Sequence, residues 1–414
     1  MKLSAIAFRN ISRNRRRSLL CILAIALAAM AIVFLFSLLA GMKADLEWNV
    51  QSFFTGQVRV RHNEFDEKEM LNPLHLRLEN WPGMVREIES LDSPAQAVPR
   101  IPFPAFLEPP TVRNPDAVNA PAMGVGLLFE KEAEFQQIER YLAEGSLPRK
   151  GESEVLLGAA LAKKISKKVG DTVTLITTTM RRGPNAATFT ISGIAAFNVA
   201  AMNQSYFYIP LDRAQSILKM GDSVVEILVK FEKELSDKEA KALVAKTLAP
   251  EDQAVARDWR ELNLMVRWID VADISYNFMA LIFFILAGTV IANSVMMIIY
   301  ERMREIGTIG ALGMEGREIV RLFFLEAFFM SLIGTAIGVA CGIGITAWLG
   351  AIGLDFSSGM QGVDFDISSI IYPRLNLKST LFVFFYSLTV ASVSSLIPTH
   401  RAAKIEPVEA LRHV

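Results

Sequence analysis

The sequence predicts an α-helical polytopic membrane protein. Four transmembrane helices stand in a one-plus-three order, with a large α/β extracytoplasmic domain of two subdomains between the first and second. Three observations carry this expectation. Of 414 residues, 52% are hydrophobic. The apolar residues gather in four runs, at about 19–40, 274–299, 322–350 and 381–398, and ~20 such residues cross the ~30 Å core of a bilayer. The stretch 42–270 has ordinary globular composition. The formal net charge is zero, which exerts no pull toward nucleic acid.

Residues 1–18 carry Lys2, Arg9, Arg13, Arg15, Arg16 and Arg17 and no acid. Leu3, Ile6, Ala7 and Ile11 share one helical face, with Arg9, Arg13 and Arg16 largely opposite. This predicts a short amphipathic helix at the cytoplasmic membrane surface. The first transmembrane helix follows at 19–41. A secretory signal is the alternative, but the apolar core is about twice the usual ~7–15 residues. The loop 300–320 and the tail 400–414 are also basic, whereas 351–377 holds Arg374 against Asp355, Asp364 and Asp366. Short basic loops stay inside. Both termini are therefore expected in the cytoplasm of a bacterial inner membrane, with 42–270 and the short loop 351–377 outside. The remaining helices fall at 271–299, 321–350 and 378–399. Cys21 and Cys341 both lie in apolar runs, so no disulfide framework holds the outer domain.

Within that domain, residues 57–61 alternate as a strand. Residues 84–91 read as a helix, 96–107 as extended, 224–231 as a strand, 237–248 as a helix capped by Ser236, and 253–257 as a strand. An inserted subdomain is expected at about 112–222, with strands at 154–157, 171–177, 188–195 and 206–209 and a helix at 159–168. Met180, Arg181, Arg182 and Pro184 would form an exposed hairpin tip. Arg59 and Arg61 read as a solvated strand face. In the third apolar run, Gly334, Gly338 and Gly342 form a doubled GxxxG, which favours close helix approach in lipid. Glu326 lies just inside that run; an intramembrane acid is a candidate functional group such as a proton site, but one turn from Arg321 it reads first as half of an interfacial ion pair.

No glycine is followed by lysine, so the phosphate-cradling GxxxxGK[ST] loop is missing and ATP hydrolysis by that route is not expected. His62, His75, His400 and His413 lack metal-ligand spacing. No nucleophile–base pair is evident, and neither a metal nor a catalytic residue is expected. The most patterned segment is Glu301-Arg-Met-Arg-Glu-Ile-Gly-Thr-Ile-Gly-Ala-Leu-Gly313, charged and glycine-punctuated between two membrane runs.

That segment, with Ile319, Phe323, Phe324 and Glu326 after it, resembles the hallmark of the MacB/FtsX-like ABC permeases. So do the tail Ile397-Pro-Thr-His-Arg-Ala-Ala-Lys-Ile-Glu-Pro-Val-Glu-Ala-Leu-Arg412 and the start Ala7-Phe-Arg-Asn-Ile-Ser-Arg-Asn-Arg-Arg-Arg17. The outer domain is most similar to the lipoprotein-releasing (LolC/LolE) group, through Glu154-Val-Leu-Leu-Gly-Ala-Ala-Leu-Ala162, Val169-Gly-Asp-Thr-Val-Thr-Leu175, Ile209-Pro-Leu-Asp-Arg-Ala-Gln215 and Met220-Gly-Asp222. The resemblance implies a permease that pairs with a second permease chain and with a separate ATPase dimer, which binds ATP and magnesium. It acts by lever motion and opens no channel. Arg302, Met303, Arg304, Glu305, Ile306, Leu312, Glu315 and Arg317 would form the ATPase-coupling element. Acylated lipoprotein cargo would sit among Phe34, Phe36, Leu39 and Met42 of the first helix and Tyr276, Phe278 and Met279 of the second. The hairpin at 177–187 is shorter than the hook by which such permeases recruit a periplasmic lipoprotein carrier. MacB-like efflux of a peptide or drug, and an FtsX-like scaffold for cell-wall hydrolases, are the other functions the family implies.

Overall fold

The computed structural model describes residues 3–13, 15–108, 119–233, 235–250, 253–262, 314–355 and 370–396, scattered positions from 274 to 308, and residues 399–400. The chain divides into a helical unit (1–43, 268–355, 371–414) and an α/β unit (44–267, 356–370).

In the helical unit, α1 (Leu3–Arg13) is followed by α2 (Arg15–Asn49), α10 (Gly316–Ile352) and α11 (Leu377–Ser394). Among the described residues three helices are long and apolar enough to cross a membrane: Ser18–Thr55, Gly316–Ile352 and Leu377–Ser394. The expected span at 271–299 falls largely outside the described residues, and those described between 274 and 300 are helical. α2 runs past its apolar stretch because 42–49 stays helix-compatible and is braced at i,i+4, Asn49 donating to Asp45 at 3.4 Å. Ala7 of α1 is fully buried, and Phe8 meets Phe329 of α10 edge-on at 6.0 Å.

In the α/β unit, β1 (Val58–His62), β2 (Ala95–Leu107), β9 (Glu226–Phe231) and β10 (Ala254–Asp258) pair in the order β10-β1-β9-β2, all antiparallel. The helices α3 (Trp81–Glu89) and α8 (Asp237–Thr247) bury Met84, Val85, Ile88, Ala240 and Val244 in the core beside them. Ser236 caps α8 with a reciprocal Glu239 box, as its sequence signature implies. The far end of β2 enters a second set of pairings: β3 (Ala120–Leu127), β8 (Tyr206–Pro210), β5 (Glu154–Gly158), β7 (Pro184–Ala195) and β6 (Thr172–Thr178), which returns to β2. That ring closes around Phe103, Leu107, Leu175, Phe189 and Phe207. The helix expected over 159–168 stops at Lys164 because Ser166 turns to φ 55°.

Candidate functional site

The glycine stripe of α10 has a partner within the chain, namely α2. A Cβ built on Gly334 would lie 2.8 Å from the Ile22 carbonyl oxygen, and one on Gly342 would lie 2.9 Å from Val33 Cβ. One on Gly338 would run into the Ala26 backbone. The absence of side chains lets the two helices touch backbone to side chain, where dispersion contacts replace the missing hydrophobic drive in lipid. Below the stripe, Cys21 and Ile25 pack with Ile319, Phe323, Ala327 and Met330. Beside Gly342, Ile32 and Val33 pack with Val339 and Val383. The Arg374 amide donates to the Ser37 carbonyl at 2.9 Å, and Gly41 abuts the Tyr372 carbonyl.

This packing sorts the residues expected to line a cargo cavity. Phe36 is engaged with the cluster around Val339 and Val383. Phe34, Leu39 and Met42 are half-buried. Phe278 and Met279 are exposed, and Tyr276 lies outside the described residues. Of the coupling segment, Arg302, Met303, Arg304, Glu305, Ile306 and Leu312 also lie outside them. Glu315 is the N-cap of α10, in a capping box with Glu318, and Arg317 is exposed. Glu315 thus has a structural task besides any docking role. Glu326 is buried and Arg321 exposed.

The hairpin tip is tighter than its sequence suggests. β6 and β7 converge until only residues 179–183 connect them. Met180 is half-buried against the core rather than exposed, and its amide donates to the Leu218 carbonyl at 2.9 Å. Arg181 and Arg182 are exposed, and Pro184 opens β7. The tip is thereby tied down to α7 (Leu211–Leu218).

Arg59 and Arg61 are not a solvated face, and that expectation is corrected here. Both are buried. Arg61 pairs with Glu226 at 2.6 Å and Glu69 at 2.7 Å, and Arg59 with Asp66 at 3.2 Å. Residues 63–71 fold over the strand and bring Asp66 and Glu69, and β9 brings Glu226 from 165 residues away, an arrangement that strand alternation alone does not reveal. Burial and the neighbouring Arg61 push Arg59 below its ordinary value. Burial acts on Arg61 in the same direction, but Glu226 and Glu69 outweigh it and raise it.

A helical unit with candidate membrane spans and a large α/β unit in one chain is the layout of an ABC transporter permease subunit, and the family matches bear that class out. The MacB-like periplasmic core domain model matches residues 18–247, more than half of the chain, and the FtsX-like permease C-terminal model matches 277–407; the chain belongs to this MacB/FtsX family of permeases. Its α/β unit is the periplasmic domain. The lipoprotein-releasing system transmembrane protein LolC of Neisseria meningitidis is 25% identical over 279 residues, 64% of this chain and 66% of that protein. LolC of Xylella fastidiosa is 23% identical over 88% of this chain and 89% of that protein. A macrolide export ATP-binding/permease protein MacB of Aeromonas hydrophila is 32% identical over 32% of this chain and 18% of that protein.

Proposed function

We propose that this chain is the permease of a lipoprotein-releasing ABC transporter. It would extract acylated lipoproteins from the outer leaflet of the inner membrane, using ATP hydrolysed by a separate ATPase dimer that holds ATP and magnesium. The observation that carries this reading is the likeness to a LolC protein along 88% of the chain, through the membrane helices and the periplasmic domain together. The coupling element around Arg304 and Glu305 docks on the ATPase. α2, held to α10 along the glycine stripe, acts as the lever. A second permease chain completes the cargo cavity, with Phe34, Leu39 and Met42 and the exposed Phe278 and Met279 facing the acyl chains. The tied-down hairpin at Met180 and Arg182 leaves little to hook a carrier, so release would rely less on a projecting hook.

Mass spectrometry of what co-purifies from native membranes in mild detergent tests this. Acylated lipoproteins with a small ATPase are the expected result. An ATPase with a periplasmic adaptor and no lipoprotein would favour MacB-like efflux, a reading supported by the MacB-like match of the outer domain.

A further inference from the structure

The end of α2, from Ala44 onward, belongs to the α/β unit, where two basic side chains hold it. The helix closes in a π turn, Val50–Thr55, and Gly56 (φ 67°) swings the chain into β1. A Cβ at Gly56 would sit 2.8 Å from the Val229 amide nitrogen, so only glycine passes here. A helix end leaves its last carbonyls without intrahelical donors and carries partial negative charge. Arg100 of β2 answers both needs. Its Nη1 donates to the Phe53 carbonyl at 2.7 Å and its Nη2 to the Ser52 carbonyl at 2.9 Å. The same guanidinium forks onto Glu132, in α4 (Phe129–Phe135), at 2.7 and 2.8 Å. Arg100 and Glu132 are fully enclosed.

Lys230 of β9 is the second basic residue. Its Nζ donates to Ser52 Oγ at 2.5 Å and the Phe135 carbonyl at 3.2 Å, and lies 4.1 Å from the Trp48 ring centroid. Phe53 is wedged edge-on against Tyr141 and Phe197, at 5.6 and 5.7 Å. All of these residues belong to the α/β unit.

A π turn is a soft place in a helix, where a tilt can be absorbed as local rewinding. Charge-assisted bonds from a buried, preorganised fork remove that freedom. Resting on the lever reading above, we propose that Arg100 and Lys230 are positioning residues that fix the last turn of α2 to the sheet, so that displacement of the helix is passed to the periplasmic domain rather than lost in the bend.

The two basic residues differ in how firmly they keep their charge. Glu132 neutralises Arg100, and among the described residues no carboxylate is hydrogen-bonded to Lys230, whose Nζ donates to Ser52 and the Phe135 carbonyl. Burial, then the Arg100 charge, pushes the Lys230 ammonium down to about 7, with Glu132 opposing. Arg100 from β2 and Glu132 from α4 are the charged groups acting on it. α2 presents the Trp48 ring, the π turn the Ser52 hydroxyl, and α4 Phe135. Because the proton is held less tightly in the clamp than in water, protonation favours release of Lys230. The grip is firmest above the ordinary lysine range and weakens as pH falls toward 7.

Spin-label distances in the full chain in nanodiscs, with Cys21 and Cys341 replaced by alanine, test this. One pair joins α2 to the sheet (Glu47→Cys with Asn63→Cys), and a control pair stays on the sheet (Asn63→Cys with Lys233→Cys). Arg100→Met should broaden the first distribution severalfold and leave the second narrow, and Arg100→Lys should not restore it. With Arg100 intact, the first distribution should broaden as pH falls from about 9.5 to about 7, and Lys230→Met should abolish that response. A first pair indifferent to Arg100→Met and to pH, a response that survives in Lys230→Met, or equal broadening of the control would overturn the proposal. No ATP or cargo enters the readout, so its failure is distinct from a failure of the lipoprotein reading.

Discussion

Arg61 and Glu226 stand directly opposite each other on β1 and β9 and close a buried ion pair at 2.6 Å. The pair is braced by Glu69 and by the Phe65 ring, 4.6 Å from the Arg61 guanidinium carbon. Removing one member strands a buried charge, which costs about 3–5 kcal/mol, whereas replacing both by apolar groups is often neutral. Arg61→Met should therefore lower the thermal unfolding midpoint of the periplasmic domain sharply, and adding Glu226→Leu should recover most of the loss. Calorimetry of the full chain in detergent measures both.

The seam between α2 and α10 makes a second prediction. Gly338 faces Ala26 with no room for a methyl group, while Gly344, six residues along and off the stripe, has nothing within 4 Å of a built Cβ. Gly338→Ala should cost about 1–3 kcal/mol by overpacking, and Gly344→Ala should be neutral or slightly stabilising. Midpoints of detergent-induced unfolding, compared side by side, separate the two.

Arg182 occupies the left-handed region at φ 59° and is exposed. A non-glycine residue pays about 1–2 kcal/mol there. Arg182→Gly should raise the unfolding midpoint, whereas Arg181→Gly, its neighbour without that strain, should not. The same pair of variants asks whether the tip's charge matters to a carrier, because both remove one arginine.

Much of this architecture was legible locally. The alternation at Val58–His62, the Ser236–Glu239 box and the apolar runs at α2 and α10 each follow from side-chain period or capping chemistry. What stayed hidden depends on residues far apart in sequence. Strand alternation placed Arg59 and Arg61 correctly on the face opposite Val58 and Val60, but could not show that this face is covered as well, by the adjoining segment with Asp66 and by Glu226, 165 residues from Arg61. The glycine stripe signalled close packing but could not name α2. The π turn and the Arg100 clamp had no local signature, because Arg100 lies 47 residues from the carbonyl of Phe53 that it caps. The coupling and cargo residues were read through family resemblance, and of these the structure gives surroundings for Glu315, Arg317 and Phe36 in particular.

At the cytoplasmic face, Arg304→Ala with Glu305→Ala should uncouple the partner's ATP hydrolysis from transport without unfolding the chain. Transport at full rate alongside normal ATP turnover would remove these residues from the coupling element.

The most direct measurement is ATP-dependent release of a lipoprotein from proteoliposomes holding this chain, its permease partner and its ATPase. Release of the acylated protein, and none with a non-hydrolysable nucleotide, is the result the account predicts. Sustained ATP turnover with acylated cargo left in the bilayer would contradict it.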